Sequence, residues 1–141
     1  MSSDSDVLTP SQQSTKAYVD DLKIVAINLL IGSGLSEVPT GVVGYLEIPF
    51  PCTITGWTLY ADQSGDIKID IWNDTYGNYP PLDADTITGA NEPEISSSDK
   101  AYDNTLSGWT ASLAKDDILG FNVDSVATIE QVTLVLLLTR T

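Results

Sequence analysis

Three carboxylates recur every four residues in DIKIDIWND, at Asp66, Asp70 and Asp74. Closely placed carboxylates can do general acid–base work, and the usual base is missing because the chain contains no histidine. The local pattern nevertheless argues against a catalytic pair. Ile67, Ile69 and Ile71 alternate with Asp66, Lys68 and Asp70, as on a strand with one buried and one solvated face, so these acids are expected in water. DADTITG (83–89) offers Asp83 and Asp85 to a hard cation, two ligands where calcium takes about six to eight. No G-x-S-x-G, P-loop, C-x-x-C or dinucleotide fingerprint occurs. The expectation is a protein without catalytic residues, cofactor or metal, hence not an enzyme.

Aromatic residues offer a different chemistry. Tyr76, Tyr79 and Tyr102 lie in or beside a long irregular stretch, 73–104, that holds three of the seven prolines. Exposed rings of this kind stack on sugars or anchor protein interfaces, so the three form a candidate surface-binding loop. Packing of the loop against its own domain is the alternative for Tyr76 and Tyr79. Trp57, Trp72 and Trp109 read as core fillers that hold the loop down.

Charge narrows the partners. Six basic residues stand against twenty acidic ones, a net charge of −14. Such a surface repels phosphate backbones and anionic lipid alike, which excludes nucleic acid as a main partner. No apolar run approaches the roughly 18 residues of a membrane helix, so no membrane insertion is expected. The start, MSSDSDV, lacks the basic and apolar regions of a secretory signal. Cys52, the single cysteine, cannot form an internal disulfide, which suits folding in a reducing cytoplasm.

The elements that must position these residues are mostly strands. The 141 residues have room for one core. VVGYLEIPF (42–50), TITGWTLYA (53–61), DIKIDIW (66–72), LSGWTASLA (106–114), DILGFNVDS (117–125) and ATIEQVTLVLLLTR (127–140) carry strand signals, with QSGD (63–66) as a tight turn. SSDKAYD within the long loop suits a single helical turn. Val132, Leu134, Leu136 and Leu138 share one face of the last strand and are expected in the core with Ile67, Ile69 and Ile71. Val135 and Leu137 make its second face partly apolar, which asks for a covering loop or another subunit.

The first 31 residues read differently. Thr9-Pro10 with Gln12 is a capping-box start to a helix, after a flexible Ser/Asp-rich tail. Tyr18, Leu22, Val25 and Leu29 follow at helical spacing as an apolar seam, although IVAINLLIG from Ile24 is β-branched and strand-like. The seam packs either on sister chains or on its own domain. The expected fold is mainly β: an antiparallel, jelly-roll-like β-sandwich of about seven or eight strands over 32–141, preceded by a short N-terminal helix in an attachment segment, 1–31.

VLTPSQQSTKAYVDD resembles the short capped helical segment of bacteriophage tail-fibre and fibre-attachment proteins. GVVGYLEIPFPCTITGWTLYADQSGDIKIDIWNDTYGNYPP, LSGWTASLAKDDILGFNVDS and VTLVLLLTRT together resemble a C-terminal domain of phage and prophage structural proteins. The resemblance implies a virion component made in the host cytoplasm, often a homotrimer. Thr9, Tyr18, Leu22 and Val25 would belong to its trimerisation and attachment helix. The N-terminal segment would reach other virion proteins, and the tyrosine loop would contact a host surface glycan if the protein is a tail fibre. A capsid-decoration or head-fibre protein without host recognition is the alternative.

Overall fold

A computed structural model describes residues 23–141. The strands are β1 (Ile24–Ile31), β2 (Gly41–Glu47), β3 (Cys52–Thr75), β4 (Glu94–Asp103), β5 (Ser112–Leu113), β6 (Asp117–Ala127) and β7 (Val132–Arg140). All pairings are antiparallel. The order β1-β7-β3-β6-β2, with β4 and β5 on the far edge of β3, makes a jelly-roll-like sandwich from one folded sheet.

β3 organises everything else. Its first half, Cys52–Ala61, pairs with β7, and its second half, Asp66–Thr75, pairs with β6. β6 and β7 therefore run along the same edge of β3, separated by a short connection at 128–131. A straight 24-residue strand would reach ~80 Å, far beyond a domain of this size, so both partners bend together. The expected QSGD turn is therefore corrected: Gln63–Asp66 is the bend of a continuous strand. Gly65 is needed there, because a Cβ would collide with the Ala127 carbonyl and the Thr128 hydroxyl. Across the bend Thr128, at φ 68°, donates its hydroxyl to the Ser64 carbonyl at 3.0 Å and accepts from the Gln63 amide. The Asp62 carboxylate accepts the Glu130 and Gln131 amides, both at 3.2 Å.

The bend turns the apolar faces of the two halves toward each other. Ile67, Ile69, Ile71, Val132, Leu134, Leu136 and Leu138 are all buried, as the alternation predicts, in one cluster with Trp57, Leu119 and Phe121.

Several expectations change. Val25 belongs to a strand rather than a helix: it pairs with Leu138 and packs against the core, and the whole of β1 zips along β7. A spacing of four is even, so Val25 and Leu29 share a face on a strand as well as on a helix. Ile24–Ile31, expected in the attachment segment, is thus part of the sheet. Thr9, Tyr18, Leu22 and the helix they define lie outside the described residues. SSDKAYD forms part of β4 rather than a helical turn, and within 106–114 only Ser112–Leu113 is strand. The final strand starts at Val132, because 128–131 is spent on the bend.

Leu134 is central to the core and Val135 faces outward beside it. Leu134→Ala is expected to cost about 2–5 kcal/mol in denaturant unfolding. Val135→Ala should cost clearly less, and equal losses would mean that both faces of β7 are packed within one chain.

Candidate functional site

The second half of the sheet carries the polar chemistry on its outer face. Asp70 points there from β3, on the face opposite Ile69 and Ile71. The expectation that it is solvated is corrected, since Asp70 is only 5% exposed. The segment 79–93 lies over it as a strap. One carboxylate oxygen accepts the hydroxyls of Thr86 at 2.6 Å and Thr88 at 2.8 Å, and the Ile71 amide at 2.8 Å. The other accepts the Trp72 indole N–H at 3.0 Å. A buried carboxylate demands such donors, and here they come from both the strand and the strap. Backbone bonds complete the attachment: the Ile87 amide donates to the Ile71 carbonyl and the Ile69 amide to the Pro93 carbonyl, each at 2.9 Å.

Gly120 of β6 lies in the same row, between Trp72 and Tyr45. Pro81 of the strap packs against Gly120, where a Cβ would meet the proline ring at 3.1 Å and the Tyr45 ring at 3.3 Å.

Two further carboxylates join Asp70. Asp124 occupies a register shift of β6, between the partners of Lys68 and Ile69, and such irregularities re-aim a side chain. Glu92 comes from the end of the strap. The carboxylate oxygens of Asp70, Glu92 and Asp124 lie within 4.8 Å of one another. Burial pushes the Glu92 carboxyl up to about 8, helped by a hydrogen bond from its acid form to Asp124 and by the charges of Asp124 and Asp70, with Lys68 opposing. Burial and the neighbouring carboxylates thus favour the protonated form of Glu92. Three oxygens could also contribute to a hard-cation site, short of the roughly six that calcium or magnesium takes. The set does not resemble a hydrolytic pair, since Asp70 is saturated with donors and the acids crowd within 4.8 Å, closer than the separation of about 5–9.5 Å such a pair needs. Asp83 and Asp85 stand apart from it in a 3-10 turn, where Asp85 accepts the Leu82 amide at 2.8 Å.

The predicted tyrosines do not form one site. Tyr76 and Tyr79 line a shallow groove of about 550 Å³ with Glu47 and Ile118. Tyr79 meets Tyr45 edge-on, with centroids 5.0 Å apart. Tyr102, from β4, lines a different groove of about 500 Å³ with Thr58, Tyr60 and Lys100 on the outer face of the first half of the sheet. Trp57 and Trp72 are buried as expected, while Trp109 is half-buried and its indole donates to the Asn91 carbonyl at 2.8 Å. The alternating pattern around Asp70 carries no mark of its burial. The run of Thr86, Thr88 and Glu92 downstream is the one sequence trace of its partners.

Fold and site together define a mainly-β, jelly-roll-like sandwich domain with an acidic, strapped outer face. No protein-family model matches the chain, and no curated protein matches it. Among solved structures it is similar to the capsid of Ralstonia phage GP4, at 15% identity over 84% of each chain with a TM-score of 0.49. It is also similar to the Tobacco streak virus coat protein dimer, at 8% identity over 84% of this chain and 86% of that one, TM-score 0.33. A structure of CBM4 aligns at 13% identity over 82% and 84%, TM-score 0.35. At these levels of similarity no function carries across.

Asp70→Asn should weaken the strap, because an amide nitrogen cannot accept from donors that the carboxylate oxygen satisfies. Faster proteolysis within 79–93, with a shift in tryptophan emission, is the expected outcome. A cleavage rate equal to that of the wild type would show that backbone bonds alone hold the segment.

Stability should also depend on pH through Glu92. Its folded value lies above the unfolded one, so between about 4.5 and 8 the folded state holds a proton that the unfolded chain releases. Stability from this group is full below that window and falls as pH rises through it. Glu92→Gln should flatten the dependence of melting temperature on pH between 5 and 9, and an unchanged slope would assign it to other groups.

Proposed function

We propose that the chain is a non-enzymatic structural component of a bacteriophage virion, a homotrimer seated on the capsid as a decoration or head-fibre protein. The single observation that carries this reading is the separation of charge between the two outer faces. One carries the carboxylates of Asp66, Asp74 and Asp124, with Asp70 buried beneath the strap, while the other presents Ile24, Leu30, Val135 and Leu137 without a carboxylate between the strand ends. A domain built this way suits a position in an assembly, with the neutral face against neighbours and the acidic face toward solvent. The sequence resemblance to phage structural proteins points the same way. Residues 1–22 would serve as the attachment segment to a larger virion protein.

A second reading is a tail fibre that touches a host surface glycan. It is favoured by the Tyr76–Tyr79 groove, where two exposed rings lie beside the carboxylate of Glu47. Tyr102 would not take part, since it lines another groove.

Antibody labelling of intact particles under the electron microscope separates the two readings, with label on the shell expected and label confined to the tail favouring the fibre. Deletion of residues 1–22 should leave the melting temperature of the β-domain within a few degrees and abolish incorporation into particles. A truncated protein that still decorates particles would place attachment on the domain itself.

A further inference from the structure

The outer face of β1, β7 and the first half of β3 is unusual for this composition. In register across these strands, the outward positions carry apolar side chains, threonines, one asparagine and no Asp or Glu, in a chain with twenty acids. Charged side chains border the patch: Lys100 on β4, Asp62 one outward position beyond Tyr60 on β3, and Lys23 just before Ile24. Large side chains stand open there: Ile24 is 63% exposed, Leu30 62%, Tyr60 55% and Tyr102 72%. Three strands of about eight residues span roughly 400 Å² of sheet, the size of the largest apolar patch on a typical monomer, which is often functional.

We infer that this face is the contact surface between copies of the chain, turned toward the three-fold axis of the homotrimer. The inference rests on the trimeric reading above and names the surface that makes the trimer. Charge selects the occupant. Three copies at −14 each bring −42 into one particle, so association through the acidic half would press carboxylates together within a screening length of ~8 Å. Through the neutral face, sister chains meet over apolar and threonine side chains, with their acids held to the periphery. The half-exposed Val135 and Leu137, in the middle of the face, then lose their remaining contact with water.

The test is sedimentation of the full chain at micromolar concentration. Wild type is expected at three times 15.1 kDa. Leu30→Glu combined with Tyr60→Glu is expected at 15.1 kDa with an unchanged circular dichroism spectrum. Val42→Glu, which adds a charge at a 44%-exposed site on the other half of the sheet, should leave the trimer intact. A double variant that assembles like wild type overturns the inference and leaves the trimer standing. A monomeric wild type overturns both, and a dimer that the double variant splits retains the face while overturning the three-fold count. Should the double variant fail to fold, Tyr102→Glu is the second probe. It is expected to raise the concentration of half-dissociation at least tenfold, and an unchanged value overturns the inference.

Discussion

The bend in β3 is the constraint from which the architecture follows. One strand supplies the central partner for both halves of the sheet, so its two ends can close over a common core only if it turns at Gln63–Asp66. The paired chain must turn at the same place, and the 128–131 connection does so with a left-handed Thr128 that caps the Ser64 carbonyl. The bend is further buttressed by the loop after β1. Glu37 accepts the Thr128 amide at 3.0 Å, and the Val38 amide donates to the Ile129 carbonyl at 2.9 Å. Once the bend exists, Ile67, Ile69 and Ile71 face Leu134, Leu136 and Leu138 across one core.

Folding the sheet also decides what becomes of its outer surfaces. On one side the strap brings donors to Asp70 and places Glu92 against Asp124, a crowding of acids that raises the Glu92 carboxyl. On the other side no segment among the described residues covers the sheet, and threonines and apolar residues stand in register over adjacent strands. Acid is gathered where a loop and solvent can accommodate it, and is absent from the outward row of β1 and β7. The two grooves divide in the same way, with Tyr76 and Tyr79 near the strap and Tyr102 on the neutral face.

Much of the fold was legible in the amino-acid order because strand burial has a period of two. The alternations in DIKIDIW and VTLVLLL identify the core-facing isoleucines and leucines whatever the strands pair with. Composition likewise settles the strong negative charge and the absence of histidine. The strand at 24–31 was harder to separate from a helix, since Val25 and Leu29 at a spacing of four satisfy both periods.

What the tertiary structure alone decided concerns long-range partners. QSGD has the residues of a turn, and only the pairing of 52–61 with β7 and of 66–75 with β6 makes it a bend in a single strand. Asp70 has the alternation of a solvated residue, and only the strap from 79–93 buries it. The carboxylate cluster joins residues 70, 92 and 124 from three separate segments. The neutral face likewise exists only in register across β1, β7 and β3. Local sequence fixes which side of a strand is apolar, because side-chain direction follows from the backbone two residues at a time. Which strand or loop covers the other side depends on chain segments dozens of residues away, and no local period encodes that distance.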